Sequence, residues 1–170
     1  MKSILLSSLL LLSLGFLLTA CPVATKFPLT EKEDLSTFDK RLIGEWVNSD
    51  SAAEAKKIRI TKGETKKTYH IEVLEKGSMF MAESETFEAW ITDLDDKKFI
   101  VLQEIKDGET DKSYYVYHLE ITDDYLITHD VSLKVKGIDG IKSVSTYREE
   151  VSASMTFKDF LSEERKWTKE

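Results

Sequence analysis

The chain has 170 residues, 31 acidic against 24 basic, and a formal net charge of −7. That sign opposes binding to nucleic acid or to an anionic lipid surface, and reads as ordinary solubility. A single cysteine in the whole chain excludes an internal disulfide and a multi-cysteine zinc site.

Behind Lys2 runs an uncharged stretch from Ile4 to Leu18, in which leucine alternates with little besides serine and glycine. This is the pattern of a secretory h-region. As an α-helix it rises roughly 22 Å, short of the roughly 30 Å hydrocarbon core, so removal is expected and not permanent spanning. The stretch ends in Leu18-Thr19-Ala20-Cys21, which resembles the lipobox of bacterial lipoproteins. The resemblance implies a signal peptide over residues 1–20, cleavage before Cys21, palmitate-type diacylation of its sulfur and acylation of the new N-terminus. Several chains anchor far more firmly than one. Pro22, and not aspartate, follows the cysteine, which by the family's sorting rule implies the outer membrane, facing the periplasm.

Loss of residues 1–20 leaves 150 residues, Cys21 to Glu170, and the departure of Lys2 makes the charge −8. One domain is expected, able to bury roughly 68–70% of its unfolded surface. With Cys21 acylated, no thiol remains for nucleophilic catalysis. Residues 21–40 hold both prolines, Pro22 and Pro28, among Thr, Lys, Glu and Asp. They read as a lipidated tether that as a coil reaches roughly 25 Å. Leu35, Phe38 and Leu42 within and beside it are either a plug over one end of the domain or unstructured apolar residues.

The domain, residues 41–170, opens with Leu42-Ile43-Gly44-Glu45-Trp46-Val47-Asn48, and from there the dominant period is two. Tyr69, Ile71 and Val73 alternate with polar partners, as do Phe87, Ala89 and Ile91, then Tyr115, Tyr117, Leu119 and Ile121, then Tyr125 to Val135. Such alternation marks strands. Turn chemistry at Lys62-Gly63-Glu64, Glu75-Lys76-Gly77, Asp95-Asp96, Asp107-Gly108 and Asp123-Asp124 separates them at hairpin intervals. A mainly β fold follows: an antiparallel up-and-down meander of seven or eight strands, closed into a barrel to hide its edges.

After Gly137 the period changes. Ile141, Val144, Tyr147, Val151 and Met155 recur at helical spacing, which predicts an amphipathic helix that packs on the barrel wall or closes a mouth. Phe99-Ile100-Val101-Leu102 is apolar on both faces, and this helix is its expected outer cover. A short last strand holds Arg165-Lys166-Trp167-Thr168.

Gly44 and Trp46 on the first strand, a meander, a late helix and a last strand with Arg165 resemble a lipocalin-type (calycin) barrel. The resemblance implies that Arg165 stacks across Trp46 and that Gly44 admits a neighbouring chain closely. Read without it, Trp46 is an ordinary core tryptophan. The chain lacks that family's second fingerprint turn and its disulfides, which argues against a large cavity.

No Gly-Xaa-Ser-Xaa-Gly elbow, phosphate loop or histidine pair at metal-ligand spacing occurs, so neither an enzyme, nor a metal, nor a cofactor beyond the lipid on Cys21 is expected. His70 and His118 share faces with Glu72 and Glu120 and are expected in solvent. His129 lies within an apolar face, either as a hydrogen-bonded core residue or as a handle for a ligand. With Tyr117, Trp90 and Phe87 it makes the candidate ligand-binding set; Met79, Phe80 and Met81 extend the aromatic group. Two functions stand: a tethered binder of a small apolar or amphipathic molecule, or a filled-barrel scaffold that docks on another envelope protein.

Overall fold

The computed structural model describes residues 24–35, 37–50, 53, 55–65, 67–76 and 85–170. The stretch expected to be a signal peptide, the lipobox-like Leu18-Thr19-Ala20-Cys21, and Met79, Phe80 and Met81 lie outside them. Eight strands follow in order: β1 (Gly44–Asn48), β2 (Ala55–Lys62), β3 (Thr68–Lys76), β4 (Thr86–Leu94), β5 (Lys97–Lys106), β6 (Glu109–Ile121), β7 (Tyr125–Val131) and β8 (Leu161–Lys169). Each pairs antiparallel with the next, and β8 returns to β1 through Trp46↔Lys169 and Asn48↔Trp167. The result is the closed eight-stranded up-and-down barrel expected from the alternation. Among the described residues one α-helix, α1 (Val144–Ser154), stands before the last strand.

Turn chemistry sets the hairpins. Asp95 and Asp96, at φ 48° and 62°, and Asp107 and Gly108, at 53° and 80°, each supply two consecutive left-handed residues. That is the backbone of the type I′ turn, whose twist matches the flanking strands. The paired aspartates are turn formers.

Two apolar clusters lie on opposite sides of the sheet. The inner one holds Trp46, Ile60, Tyr69, Ala89, Ile91, Ile100, Leu119, Leu126 and Trp167. The outer one joins Trp90, Phe99, Val101 and Val116 on the wall to Tyr147 and Val151 of α1. Thus α1 covers the outer face of β4–β6 as its stripe requires. Its start is fixed by a capping box between Ser143 and Thr146, which satisfies orphan backbone donors reciprocally.

The segment expected to be a free tether is part of the folded body. Thr25 forms an antiparallel bridge with Tyr114, and Leu29 and Leu35 are buried in the outer cluster. Trp90 donates its indole N–H to the Thr30 carbonyl at 2.9 Å. Apolar residues in this stretch find an apolar wall, and their burial outweighs the entropy of a loose coil. Residues 24–35 and 37–43 therefore form a strap, and the folded body begins well before residue 41.

The strap ends as a plug. Phe38 stacks on Tyr69 with centroids 4.8 Å apart, and Leu42, fully buried, joins the inner cluster. The Tyr69 hydroxyl accepts from Asp39 N–H at 2.7 Å and donates to the Asp39 carbonyl at 3.2 Å. Burial pushes its pKa up to about 12.

The cation over Trp46 is Lys169, 5.2 Å from the ring centroid, and its ammonium continues to the Arg41 carbonyl at 3.0 Å. This corrects the expectation that Arg165 stacks there: Lys169 is the residue in register with Trp46. Gly44 has φ +146°, and a Cβ on it would meet Lys169 Cε at 2.8 Å. Gly44→Ala is expected to cost about 1–3 kcal/mol in urea unfolding, through backbone strain and displacement of Lys169.

Glu150 of α1 is buried and holds the β7–α1 connection. Its carboxylate accepts from the backbone N–H of Val135 at 2.9 Å, Lys136 at 2.8 Å and Gly137 at 3.2 Å. Desolvation works to raise its pKa, but these donors outweigh it and hold the carboxyl below its ordinary value. A depressed pKa contributes stability that is present above the unfolded value and lost as pH falls through the folded one. Glu150→Gln is expected to cost about 1.5–3 kcal/mol at neutral pH. The gap between variant and wild type in thermal unfolding should narrow below the ordinary value of 4.5.

Candidate functional site within the barrel

The barrel interior has two unlike halves. Toward the plug, Trp46, Tyr69, Ala89, Ile91 and Leu119 are all at most 2% exposed, a solid filling. Toward the opposite end, Val73, Phe87, Leu102 and Tyr117 are only partly buried. Strand register places them inward: Phe87 opposes Ile71, Leu102 opposes Ala89, and Tyr117 opposes Ile100.

Into this half project two charged side chains. Asp130 on β7 pairs across from Tyr117, and Arg165 on β8 pairs across from Thr128. The guanidinium grips Asp130 with both terminal nitrogens, at 2.6 and 3.3 Å, and also reaches Glu163 Oε2 at 3.0 Å. Its carbon stands 5.8 Å from the Tyr117 ring centroid. Burial disfavours the charge of Arg165, but the Asp130 carboxylate prevails and raises its pKa above the ordinary value. Glu163, at φ 45°, lies at the irregularity of β8 opposite Thr128 and Asp130. Such irregularities re-aim side chains and here bring Glu163 to the guanidinium.

Arg165 is therefore an inward-facing cation held by two carboxylates. The pair is a planar hydrogen-bonding platform beside an aromatic wall, able to orient a polar group by hydrogen bonds. Glu104, directly across from Phe87, pairs with Lys106 at 3.0 Å on the same rim.

Of the residues expected to line a pocket, Phe87 and Tyr117 meet inside the barrel. Trp90 and His129 do not. Trp90 is in register with Val101 and is fully buried on the outer wall beneath the strap. His129 opposes His118 on the outer face as well, and the inner residues of β7 are Leu126, Thr128 and Asp130. The inversion has a physical source: strap and α1 make the outer wall apolar, so apolar alternation does not mark the inside. His118, expected in solvent, is 5% exposed, packed against Phe99 and His129. Asp130 was not among the sequence candidates, and only the β7 register reveals it.

Outside the barrel, a cleft of about 250 Å³ separates strap from wall, lined by Pro28, Lys32, Trp90, Gln103 and Tyr114 among others. It belongs to the seam of the strap and does not reach the interior residues. No protein-family model matches this chain, and neither a curated protein nor a solved structure does. The site stands on its own geometry.

Arg165→Gln leaves Asp130 without its cationic partner in a half-buried setting. A loss of about 1–3 kcal/mol in urea unfolding is expected, with Asp130→Asn losing less because an amide still accepts from the guanidinium.

Proposed function

We propose that the chain is a lipid-anchored lipoprotein of the bacterial envelope, of lipocalin-like type, whose barrel binds a small amphipathic molecule. The observation that carries this reading is the contrast within one interior: a solid half at the plug, and a half-buried apolar half furnished with the Asp130–Arg165 pair. A core built for stability alone gains little from such a pair, since desolvation of both ions offsets their attraction. A ligand with an apolar body against Phe87, Leu102 and Tyr117 and a polar end at the pair gives both features a use. Such a ligand would be confined to the partly buried half, since the plug half is solid. Of the surfaces a docking scaffold could offer a partner, the segment around Trp90 is covered by the strap.

Anchoring rests on Leu18-Thr19-Ala20-Cys21. Thr25, bridged to Tyr114, is four residues after Cys21, and four extended residues span at most about 14 Å. An acylated Cys21 would thus hold the strap side of the barrel close above the headgroups, not at the end of a long coil. Enzymatic and cofactor roles are not part of the proposal.

The first test is native mass spectrometry of the protein released from an envelope, beside the denatured spectrum. An extra mass lost on unfolding and independent of the acyl groups is expected. The fluorescent probe N-phenyl-1-naphthylamine should bind the delipidated interior, and Phe87→Trp should weaken it by filling the space, with the circular dichroism unchanged. A bare mass in every preparation together with no probe binding overturns the binding reading. Separately, Cys21→Ser should abolish labelling with an alkynyl palmitate and move the protein to the soluble fraction.

A further inference from the structure

A second group of polar side chains lies on the outer wall, apart from the interior site and independent of the reading above. His118 and Glu120 are two residues apart on β6 and so leave the same face. His129 stands directly opposite His118 on β7. The two imidazole centroids are 5.7 Å apart, and one ligand atom from each of the three residues lies within 4.8 Å of the other two.

We propose that His118, Glu120 and His129 form a binding site for a transition-metal dication, with Zn²⁺ the ion that fits their chemistry. Two imidazoles and a carboxylate are a common zinc donor set, and hard ions such as Mg²⁺ and Ca²⁺ want oxygen alone. The second, independent observation is His118 itself. It is 5% exposed, held edge-on against Phe99 at 5.7 Å, and its Nδ1 is buried with no hydrogen-bond partner. That atom lies 4.0 Å from Glu120 Oε1. A buried ring nitrogen without a partner is costly and rare, and a metal ion between Nδ1, Glu120 and His129 would satisfy it.

A tetrahedral ion about 2.1 Å from each ligand sets the donors roughly 3.4 Å apart, so the site closes by side-chain rotation. Glu120, with 58% of its side chain exposed, has the freedom to make it. The ring of His118 is fixed by Phe99 and supplies the rigid member. Three protein ligands leave the fourth position to water.

The charged groups that act on His118 are Lys97 of β5, Glu120 and His129. Burial first, then Lys97, lower its pKa, against Glu120, which raises it. Lys97 also repels an incoming dication, so it tempers the affinity.

The test is competition between the full chain, free of any histidine tag, and a chromogenic zinc chelator at neutral pH. One Zn²⁺ per chain is expected. Glu120→Gln and His129→Ala should each weaken uptake by about tenfold or more, and Lys97→Gln should strengthen it. Both losses concern side chains that are not fully buried, so folding is checked by circular dichroism without relying on a His118 variant. Cobalt in place of zinc should give visible ligand-field bands that His129→Ala removes. Failure to take up stoichiometric zinc overturns the proposal, as does uptake that survives unchanged in both weakening variants. Neither result bears on the interior site.

Discussion

A sheet wall that is apolar on both faces has to be covered twice, and this requirement shapes the molecule. Val101 of β5 and Trp90 of β4 point out, while Ile100 and Ile91 beside them point in. The barrel's own interior covers one face. The other needs elements from elsewhere in the chain, and α1 and the N-terminal strap supply them from opposite ends of the sequence. Residues such as Leu29 and Val151, far apart in sequence, meet over the same wall. Arg148 joins the two covers, donating to Thr30 Oγ1 at 2.9 Å and to the Leu29 carbonyl at 3.3 Å.

The strap's second duty is at the barrel end. Having crossed the wall, it turns at Asp39 and inserts Leu42 below Trp46, whose indole N–H is taken by the Leu42 carbonyl at 2.8 Å. With that end sealed and densely packed, the inner Asp130–Arg165 pair lies toward the other. Asp130 and Arg165 are tolerated inside the barrel because their half is not fully desolvated and because each satisfies the other. Position of the site follows from position of the plug.

Legibility in the sequence tracked how far each feature depends on local pattern. Strand alternation, Asp-Gly and Asp-Asp turns and the three-four spacing from Val144 to Val151 are local, and from them the barrel and its helix were readable. β2, rich in lysine and arginine, was implied only by the turn after it. Which face of a strand points inward is not local when both faces are covered. His129 and Trp90 were assigned to the interior on an apolar alternation that the outer cover also demands, and the run from Tyr125 was carried on to Val135 although the strand ends at Val131. The identity of the cation over Trp46 depends on register between the first and last strands, which separates Lys169 from Arg165 by four positions. Likewise His118 and His129 are eleven residues apart, a separation that looks like nothing until β6 folds back on β7. Composition also misled: Pro22, Pro28 and the charges around them read as linker, while Leu29 and Leu35 after them dock on the outer wall.

Closure of the barrel joins Trp46 to Lys169 and Asn48 to Trp167, the first strand to the last across nearly the whole folded chain. Contacts of such sequence separation carry a large loop-closure entropy and slow folding to the millisecond-to-second regime typical of high contact order. Until residue 169 is available, β1 has only β2 for a partner and Trp46 lacks its lysine. A chain made only as far as β7 keeps the barrel open, so the seam waits for the segment up to Lys169.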